Sequence, residues 1–172
     1  MTDNDCSREP AVLACIGLGG NLGDVAGAIE HALLALDALP ATQLLRRSKL
    51  YRTPAWGMTA QPNFVNAAAV LSTALSASDL LAELLRIERE AGRDRDAQSE
   101  RWGPRALDLD LLLYGYAVIA QAGSSVPHPH LHQRAFVLVP LAEIAADALV
   151  PGRGRVDELL AAVDAQGIVA LG

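Results

Sequence analysis

Patterns typical of strands and helices follow one another along this chain in the order strand, helix, strand, strand, helix, strand, with further elements after them. This order predicts an α+β fold, a ferredoxin-like α/β sandwich in which helices pack on the faces of a mostly antiparallel sheet. The composition, 51% hydrophobic and 20% charged, is typical of a globular protein with a sizeable core. We expect a single domain over residues 11–172, preceded by a flexible N-terminal tail at residues 1–10.

Local patterns define the first elements. An apolar run over residues 11–18 predicts a buried strand, and the glycine-rich stretch 19–23 predicts a tight turn after it. Asp24 is suited to cap the helix that follows, whose apolar residues recur at helical spacing as far as Leu39.

Two strands and a second helix come next. We expect one strand over residues 43–52 and another over residues 64–73, joined by a loop that contains proline and glycine. The stretch Ser76 to Asp79 has the pattern of a capping box and opens a helix that Gly92 ends.

The second half begins with a polar, arginine-rich stretch over residues 93–104, which has no periodicity and predicts a long loop. A strand that carries Asp108 and Asp110 follows and turns at residues 114–116. The remaining predicted elements are a strand at 118–120 and helices over 131–146 and 156–163.

Two aspartates in one strand are the strongest candidate for a functional site. Asp108 and Asp110 alternate with leucines, and side chains two residues apart in a strand share one face, with Cα atoms about 6.6–6.8 Å apart. The leucines expected on the opposite face, in the core, are Leu107, Leu109, Leu111 and Leu113. Two carboxylates this close repel each other by about 2–3 kcal/mol at an effective dielectric constant of about 20, so a cation should offset them. Mg²⁺ suits carboxylate oxygens, although such a pair also occurs on ordinary solvated strands.

Arginines precede the aspartate strand. They are Arg93, Arg95, Arg101 and Arg105. Planar guanidinium groups suit phosphate oxygens, so the metal's other ligands are expected to be phosphates. The alternative is a solvated loop in which arginines pair with neighbouring acidic residues. That alternative is strong for Arg95 and weaker for Arg105, which has no acidic residue beside it.

Other motifs are less specific. The glycine-rich stretch lacks the Lys and Ser/Thr of a Walker A loop and does not fit the dinucleotide fingerprint, so a structural turn is favoured. The alternating histidines at 128–132 have no accompanying Cys, and prolines beside them predict a rigid loop rather than a zinc site. Trp56 and Trp102 fall in predicted loops, where large aromatic side chains often contact ligands.

Charge and cysteine content indicate the environment. A net charge of −6 argues against nucleic-acid and anionic-membrane partners. Cys6 and Cys15 make a poor disulfide framework, which favours a reducing compartment, and the apolar run at 11–19 is too short to span a bilayer. We therefore expect a cytoplasmic protein.

Together these segments resemble the 6-hydroxymethyl-7,8-dihydropterin pyrophosphokinase (2-amino-4-hydroxy-6-hydroxymethyldihydropteridine diphosphokinase) family from about residue 16 to residue 151. The most specific segment is Arg101 to Leu112, RWGPRALDLDLL, which is essentially the family signature. Supporting stretches are residues 19–24, 51–54, 61–68, 126–129 and 134–136. Several independent motifs in the family's order make chance similarity a poor explanation.

The resemblance implies that a monomeric enzyme transfers the β,γ-pyrophosphoryl group of ATP to the hydroxymethyl oxygen of 6-hydroxymethyl-7,8-dihydropterin and releases AMP, in folate biosynthesis. ATP and the pterin are the implied partners, and two Mg²⁺ ions the implied cofactors. The residues matching catalytic positions are Arg93, Arg105, Asp108 and Asp110, of which the two aspartates match metal ligands. Those matching ATP-binding positions are Glu88, Arg95, Arg101, Trp102, Leu111, His128 and Arg134. Those matching pterin-binding positions are Thr53, Pro54, Trp56, Phe64, Asn66 and Phe136.

Some points stay open. Asp110 is one candidate for the base that deprotonates the acceptor hydroxyl, and activation by the metal without a dedicated base is the other. The chain departs from the family pattern at Gly20, where Ser is usual, and Asp94 and Asp96 reduce the positive charge of the arginine-rich loop.

Two other functions remain alternatives. One is a nucleotidyltransferase or glycosyltransferase that uses the same aspartate pair. The other is a non-catalytic RNA-binding or ligand-sensing module of ferredoxin-like fold. The acidic charge argues against RNA binding, and a sensing module would not need both Asp108 and Asp110.

Overall fold

The computed structural model describes residues 10–54, 62–92, 106–121 and 124–172. Arg93, Arg95, Arg101, Trp102, Arg105 and Trp56 lie outside these ranges, as do most of the predicted N-terminal tail and the predicted loop at 93–104. In chain order the elements are β1 (Val12–Gly20), α1 (Val25–Asp37), β2 (Thr42–Arg47), β3 (Tyr51–Thr53), β4 (Phe64–Thr73), α2 (Ala77–Glu90), β5 (Asp108–Tyr114), β6 (Ile119–Gln121), β7 (Ser124–Val126), a 3-10 turn (Leu131–Gln133), α3 (Ala135–Ala145), β8 (Leu149–Val150), β9 (Gly154–Arg155), α4 (Val156–Ala161) and β10 (Val169–Ala170).

The main sheet is antiparallel throughout its described pairs. Its strands lie in the order β10, β3, β4, β1, β5, and β2 pairs with β4 beyond the end of β3. When β2 and β3 are counted as one interrupted strand, the first six elements have the βαββαβ order, with β1 and β4 at the centre. The predicted α+β sandwich of ferredoxin-like arrangement is confirmed.

Helices cover both faces and give the molecule two apolar clusters. On one face, α1 and α2 pack on β1, β4 and β5 through residues that include Ile16, Ile29, Leu36, Leu71, Leu84 and Leu109. On the other face, α3 and α4 pack through residues that include Cys15, Val70, Leu112, Leu138, Leu141 and Val156. Burial of its thiol raises the pKa of Cys15 to about 11, so this cysteine behaves as an apolar core residue.

The helix starts follow the predicted caps. Asp24 Oδ1 accepts a hydrogen bond from the backbone N of Gly27 at 3.0 Å, and Ser76 Oγ accepts one from the backbone N of Asp79 at 3.1 Å. Each bond occupies an N–H group that has no partner within its helix. Among the helices that the structure describes, none has the length and apolar character needed to cross a membrane.

The prediction of one strand over residues 43–52 was wrong, because the strand is interrupted at Ser48, between β2 and β3. Ser48 N donates to the carbonyl of Ala68 at 2.9 Å, and Ser48 Oγ accepts from Ala68 N at 2.8 Å. Just beyond, Lys49 N and Tyr51 Oη both donate to Glu143 Oε2 on α3, at 3.0 and 2.9 Å. The interruption is therefore held by one backbone bond at Ser48 and by the side chains of Ser48, Tyr51 and Glu143, rather than by a continuous ladder.

The prediction that Leu113 faces the same core as the other alternating leucines was also wrong. Cys15 lies opposite Leu113 while the next residue, Ile16, lies opposite Leu111, so β5 bulges at Leu112. One extra residue reverses the alternation, and Leu112 and Leu113 both join the cluster under α3. Leu107, Leu109 and Leu111 lie in the cluster under α1 and α2, as predicted.

Several boundaries differ from the predictions. β1 runs on to Gly20, so the glycine-rich turn begins later than expected. The predicted helix over 131–146 is a 3-10 turn followed by α3, because Arg134 between them is extended (φ −110°, ψ 99°). The predicted strand at 118–120 is β6 and pairs with β7 in a small separate sheet, and β7 was not predicted. The β8–β9 pair and β10 were not predicted either.

Ser48→Ala should lower the free energy of unfolding by about 1–3 kcal/mol, because it leaves the buried N–H of Ala68 without its acceptor. Urea unfolding monitored by circular dichroism measures this. Ser125→Ala, at an exposed position in β7, is the matched control and should change stability by less than about 0.5 kcal/mol. Equal losses in both variants would mean that the Ser48 bond does not hold the strand break.

Candidate active site

A row of residues across three strands forms the centre of the candidate site. Gly19 in β1 lies opposite Asn66 in β4 and opposite Asp108 in β5. Directly opposed residues of antiparallel strands point to the same face, and adjacent strands are about 4.8 Å apart. The backbones of Asn66 and Asp108 are therefore separated by about two strand spacings, with only a glycine between them. In the next row, Gly17 lies between Ala68 and Asp110.

Gly17 and Gly19 add no side chain to this face of β1. A Cβ added to Gly19 would collide with Asn66 Oδ1, whereas a Cβ added to Gly17 would meet the side chain of Leu112 at 3.4 Å, an ordinary contact. Gly19 therefore leaves the space that the Asn66 carboxamide occupies. The prediction of a turn at residues 19–23 missed this role. The available signal was the Gly-Leu-Gly alternation, which places both glycines on one face of a strand.

Asn66 is fixed on its other side by β3. Its Nδ2 donates to Thr53 Oγ1 at 2.8 Å, and both residues are buried, with 9% and 2% of their surface exposed. Thr53 lies opposite Phe64, and Pro54 follows it at the end of β3. The structure thus brings together four of the predicted pterin-binding positions at one edge of the site.

The end of β1 is also tied to the segment that enters β4. Asn21 is buried, and its Nδ2 donates to the carbonyl of Pro62 at 3.2 Å. This bond joins two segments that are 41 residues apart in sequence. Asn21 belongs to the glycine-rich motif, but a turn prediction assigned it no contact.

Glu88 supports the aspartate strand from the opposite helix layer. It lies near the end of α2, is 3% exposed, and its Oε1 accepts a hydrogen bond from the backbone N of Leu109 at 2.7 Å. Leu109 lies between Asp108 and Asp110, so this carboxylate fixes the backbone at the position where the two aspartates begin. Contact of Glu88 with a nucleotide stays a prediction.

Leu111 also faces away from the aspartates. Its side chain is buried in the cluster under α1 and α2, so a contact with a ligand on the aspartate face would involve its backbone.

His128 and Arg134 do not belong to the strands of the main sheet. His128 N donates to the carbonyl of Leu112 at 3.1 Å, which places the residue at the outer edge of β5. Burial, together with the nearby charges of Arg134 and His130, lowers the pKa of His128 to about 4, so its ring is neutral at pH 7. The Arg134 guanidinium lies over the ring of Phe136, 5.6 Å from its centroid.

The chain's two phenylalanines are both half-buried, and among the described residues neither belongs to an apolar cluster. Phe64 opens β4 on the face of Asn66, since residues two apart in a strand share a face, and Phe136 lies in the first turn of α3. Large aromatic rings that are half-covered and outside the core are suited to contact a ligand.

The donor set at Asp108 and Asp110 fits Mg²⁺. Both residues are half-buried on the face that Gly17 and Gly19 leave open, and carboxylates are hard oxygen donors. Within the described ranges, no group of three or more His, Cys, Asp or Glu side chains could hold a metal ion. A site with two carboxylates suits Mg²⁺, which commonly keeps water and takes further ligands from substrate phosphates.

Comparison with known proteins identifies the family. The family profile described as 7,8-dihydro-6-hydroxymethylpterin-pyrophosphokinase (HPPK) matches residues 15–146. The 2-amino-4-hydroxy-6-hydroxymethyldihydropteridine pyrophosphokinase of Pseudomonas aeruginosa is 46% identical over 156 residues, which cover 91% of this chain and 94% of that protein. The protein of the same name from Methylorubrum extorquens is 45% identical and covers 90% of this chain and 96% of its own length.

Solved structures agree on the fold. A crystal structure of Plasmodium falciparum HPPK-DHPS superposes with a TM-score of 0.69 over 94% of this chain, at 12% sequence identity. The chain spans about half the length of that protein, since the match covers 47% of it. The family profile and the curated relatives place the chain in the pyrophosphokinase class of enzymes. The chain belongs to the 7,8-dihydro-6-hydroxymethylpterin-pyrophosphokinase family.

Gly19→Ala should displace the Asn66 carboxamide and weaken its bond to Thr53, with a loss of about 1–3 kcal/mol in the free energy of unfolding from overpacking. Gly17→Ala is the matched control on the same face of the same strand and should cost less than about 1 kcal/mol. Urea unfolding measures stability, and NMR of the Asn66 side-chain amide measures its environment. An unshifted Asn66 signal in Gly19→Ala would contradict the assigned contact.

Proposed function

We propose that Asp108 and Asp110 hold two Mg²⁺ ions and that this face of the sheet is where the reaction takes place. As a member of its family, the protein transfers the pyrophosphoryl group of ATP to 6-hydroxymethyl-7,8-dihydropterin in folate biosynthesis. The observation that carries the site proposal is the row Asp108, Gly19, Asn66. In this row, the Asp108 carboxylate lies on one side of β1 and the fixed Asn66 carboxamide on the other, and Gly19 between them has no side chain.

The aspartates supply charge and position. When bound, the two ions neutralise and orient the phosphates of ATP. Asp108 and Asp110 keep their relative placement because both belong to one strand, whose backbone Glu88 holds at Leu109. A rigid pair of carboxylates is suited to a reaction that depends mainly on positioning and charge neutralisation.

The nucleotide side rests on the arginine-rich segment. We assign Arg93 and Arg105 to the transferring phosphates. Arg95, Arg101, Trp102, His128 and Arg134 are assigned to the rest of ATP, with Leu111 contributing through its backbone and Glu88 as a support. His128 fits this role as a neutral hydrogen-bonding group, because its low pKa keeps the ring uncharged at pH 7.

The pterin side rests on Asn66. A carboxamide can both donate to and accept from the polar edge of a pterin, and this one is fixed by Thr53 Oγ1 and by the space above Gly19. Phe64 and Phe136 are assigned to the two faces of the pterin ring. Thr53, Pro54 and Trp56 are assigned to its edge. A fixed polar group between flat apolar surfaces is typical of a site that binds a planar heterocycle.

We further propose that the enzyme acts as a monomer in the cytoplasm. The buried thiol of Cys15 and the acidic net charge support this environment. Sedimentation of the purified protein at micromolar concentration tests the monomer.

Product analysis tests the reaction. The protein is incubated with ATP, Mg²⁺ and 6-hydroxymethyl-7,8-dihydropterin, and AMP and pterin products are measured by chromatography. AMP and the pterin pyrophosphate in equal amounts are expected. Free pyrophosphate, ADP or a glycosylated acceptor in their place would identify a different transferase.

Asp108→Asn and Asp110→Asn should each lower turnover by at least about 10²–10³-fold, because the amide keeps the shape but removes the charge that holds the metal. Mg²⁺ titration by calorimetry with an unreactive ATP analogue should show weaker metal binding. Asp147→Asn, at an exposed position after α3, is the matched control and should keep wild-type activity. Near-wild-type turnover of either strand variant at saturating Mg²⁺ would refute the two-metal site.

Phe64→Ala and Phe136→Ala should weaken pterin binding more than ATP-analogue binding, since each ring contributes about 0.5–1.5 kcal/mol beyond its buried area to stacking. Calorimetry with each ligand separately measures the difference. Tyr116→Ala removes an aromatic side chain that is 79% exposed and serves as the control. Equal losses for both ligands would assign the two phenylalanines to packing instead.

A further inference from the structure

The last strand of the chain lies against the strand that ends at the candidate site. β10 pairs with β3 through Val169 opposite Arg52 and Ala170 opposite Tyr51. Leu171 N extends the pairing by donating to the carbonyl of Leu50 at 2.8 Å. β3 has only three residues, and its other neighbour is β4, so β10 covers what would otherwise be its open edge.

A second contact reaches the residue that follows β3. Gly167 has φ +86°, in the left-handed region that favours glycine. Its backbone lies so close to Pro54 that an added Cβ would be 3.2 Å from Pro54 Cγ. The C-terminal segment therefore contacts β3 along its length and the proline ring at its end.

This segment contributes no residue to the two described apolar clusters. Val169 is 46% exposed and Ala170 is exposed, and within the described residues none of positions 167–171 belongs to either apolar cluster. Its contacts are concentrated on β3 and Pro54 instead. Thr53, which ends β3 next to Pro54, accepts a hydrogen bond at its Oγ1 from Asn66 Nδ2.

We infer that residues 167–171 position the pterin side of the site, by holding β3 and Pro54 in place. Gly167 is the key positioning residue, because its backbone conformation favours glycine and a side chain there would press on Pro54. This inference rests on the proposed assignment of Thr53, Pro54 and Asn66 to the pterin. It adds to the site a segment that lies beyond the family match at residues 15–146.

Two glycine variants separate positioning from backbone strain. Gly167→Ala introduces both strain and a tight contact of 3.2 Å with Pro54 Cγ, whereas Gly152→Ala, in the turn between β8 and β9, introduces strain at φ +76° with nothing within 4 Å. Calorimetry of the full-length variants with 6-hydroxymethyl-7,8-dihydropterin, and separately with an unreactive ATP analogue and Mg²⁺, measures both affinities. We expect Gly167→Ala to raise the Kd for the pterin by about five- to tenfold and to leave the Kd for the ATP analogue unchanged. Gly152→Ala should change neither.

A chain that ends at Gln166 provides the second test. It should keep the fold, lose pterin affinity as Gly167→Ala does, and show faster amide hydrogen exchange over residues 50–53. Unchanged exchange and unchanged pterin affinity in this truncated chain would overturn the inference, and so would an equal loss of pterin affinity in Gly152→Ala. If the wild-type protein binds no pterin while truncation still accelerates exchange, the substrate assignment fails and the structural support of β3 stands.

Discussion

The register of β1 with its two neighbours is the constraint on which the candidate site depends. One residue, Gly19, lies opposite both Asn66 and Asp108, so its position sets the distance between the carboxamide and the carboxylates. A slip of one residue in either pairing would turn one partner to the opposite face of the sheet. The two apolar clusters prevent such a slip, because it would expose the alternating apolar residues of the central strands on both faces.

Negative charge is concentrated where β5 begins. Asp108 and Asp110 share a face, and the Glu88 carboxylate is bound to the backbone between them. At a spacing of about 6.7 Å, the two aspartates alone repel each other by about 2–3 kcal/mol at an effective dielectric constant of about 20. Asp108 and Asp110 are half-buried, at the edge of the core rather than within it, so solvent screens part of this repulsion. Functional sites commonly hold such locally unfavourable groups, whose charge a bound ligand of opposite charge neutralises.

The parts of the fold that local sequence determines were predictable. Alternation of Asp and Leu located β5, and Asp24 and Ser76 identified the starts of two helices, because caps and periodicity act over a few residues. The bulge at Leu112 and the break at Ser48 were not predictable in this way. Both depend on partners elsewhere in the chain, such as Cys15 opposite the bulge. The two residues of β10 carry no pattern of their own, and only the open edge of β3 makes them a strand.

The same distinction applies to the site, and Gly19 shows where it lies. A glycine after an apolar run is commonly a turn signal, and within a strand it costs about 0.5–1 kcal/mol relative to alanine. The prediction of a turn at Gly19 therefore followed the local rule, but β1 continues through it to Gly20. The unfavourable residue is explained only by its neighbour across the strand, since the Asn66 carboxamide occupies the space of the missing side chain. Local patterns could identify the carboxylates that carry the chemistry, whereas the residues that give those groups their spacing became visible only through pairing between distant strands.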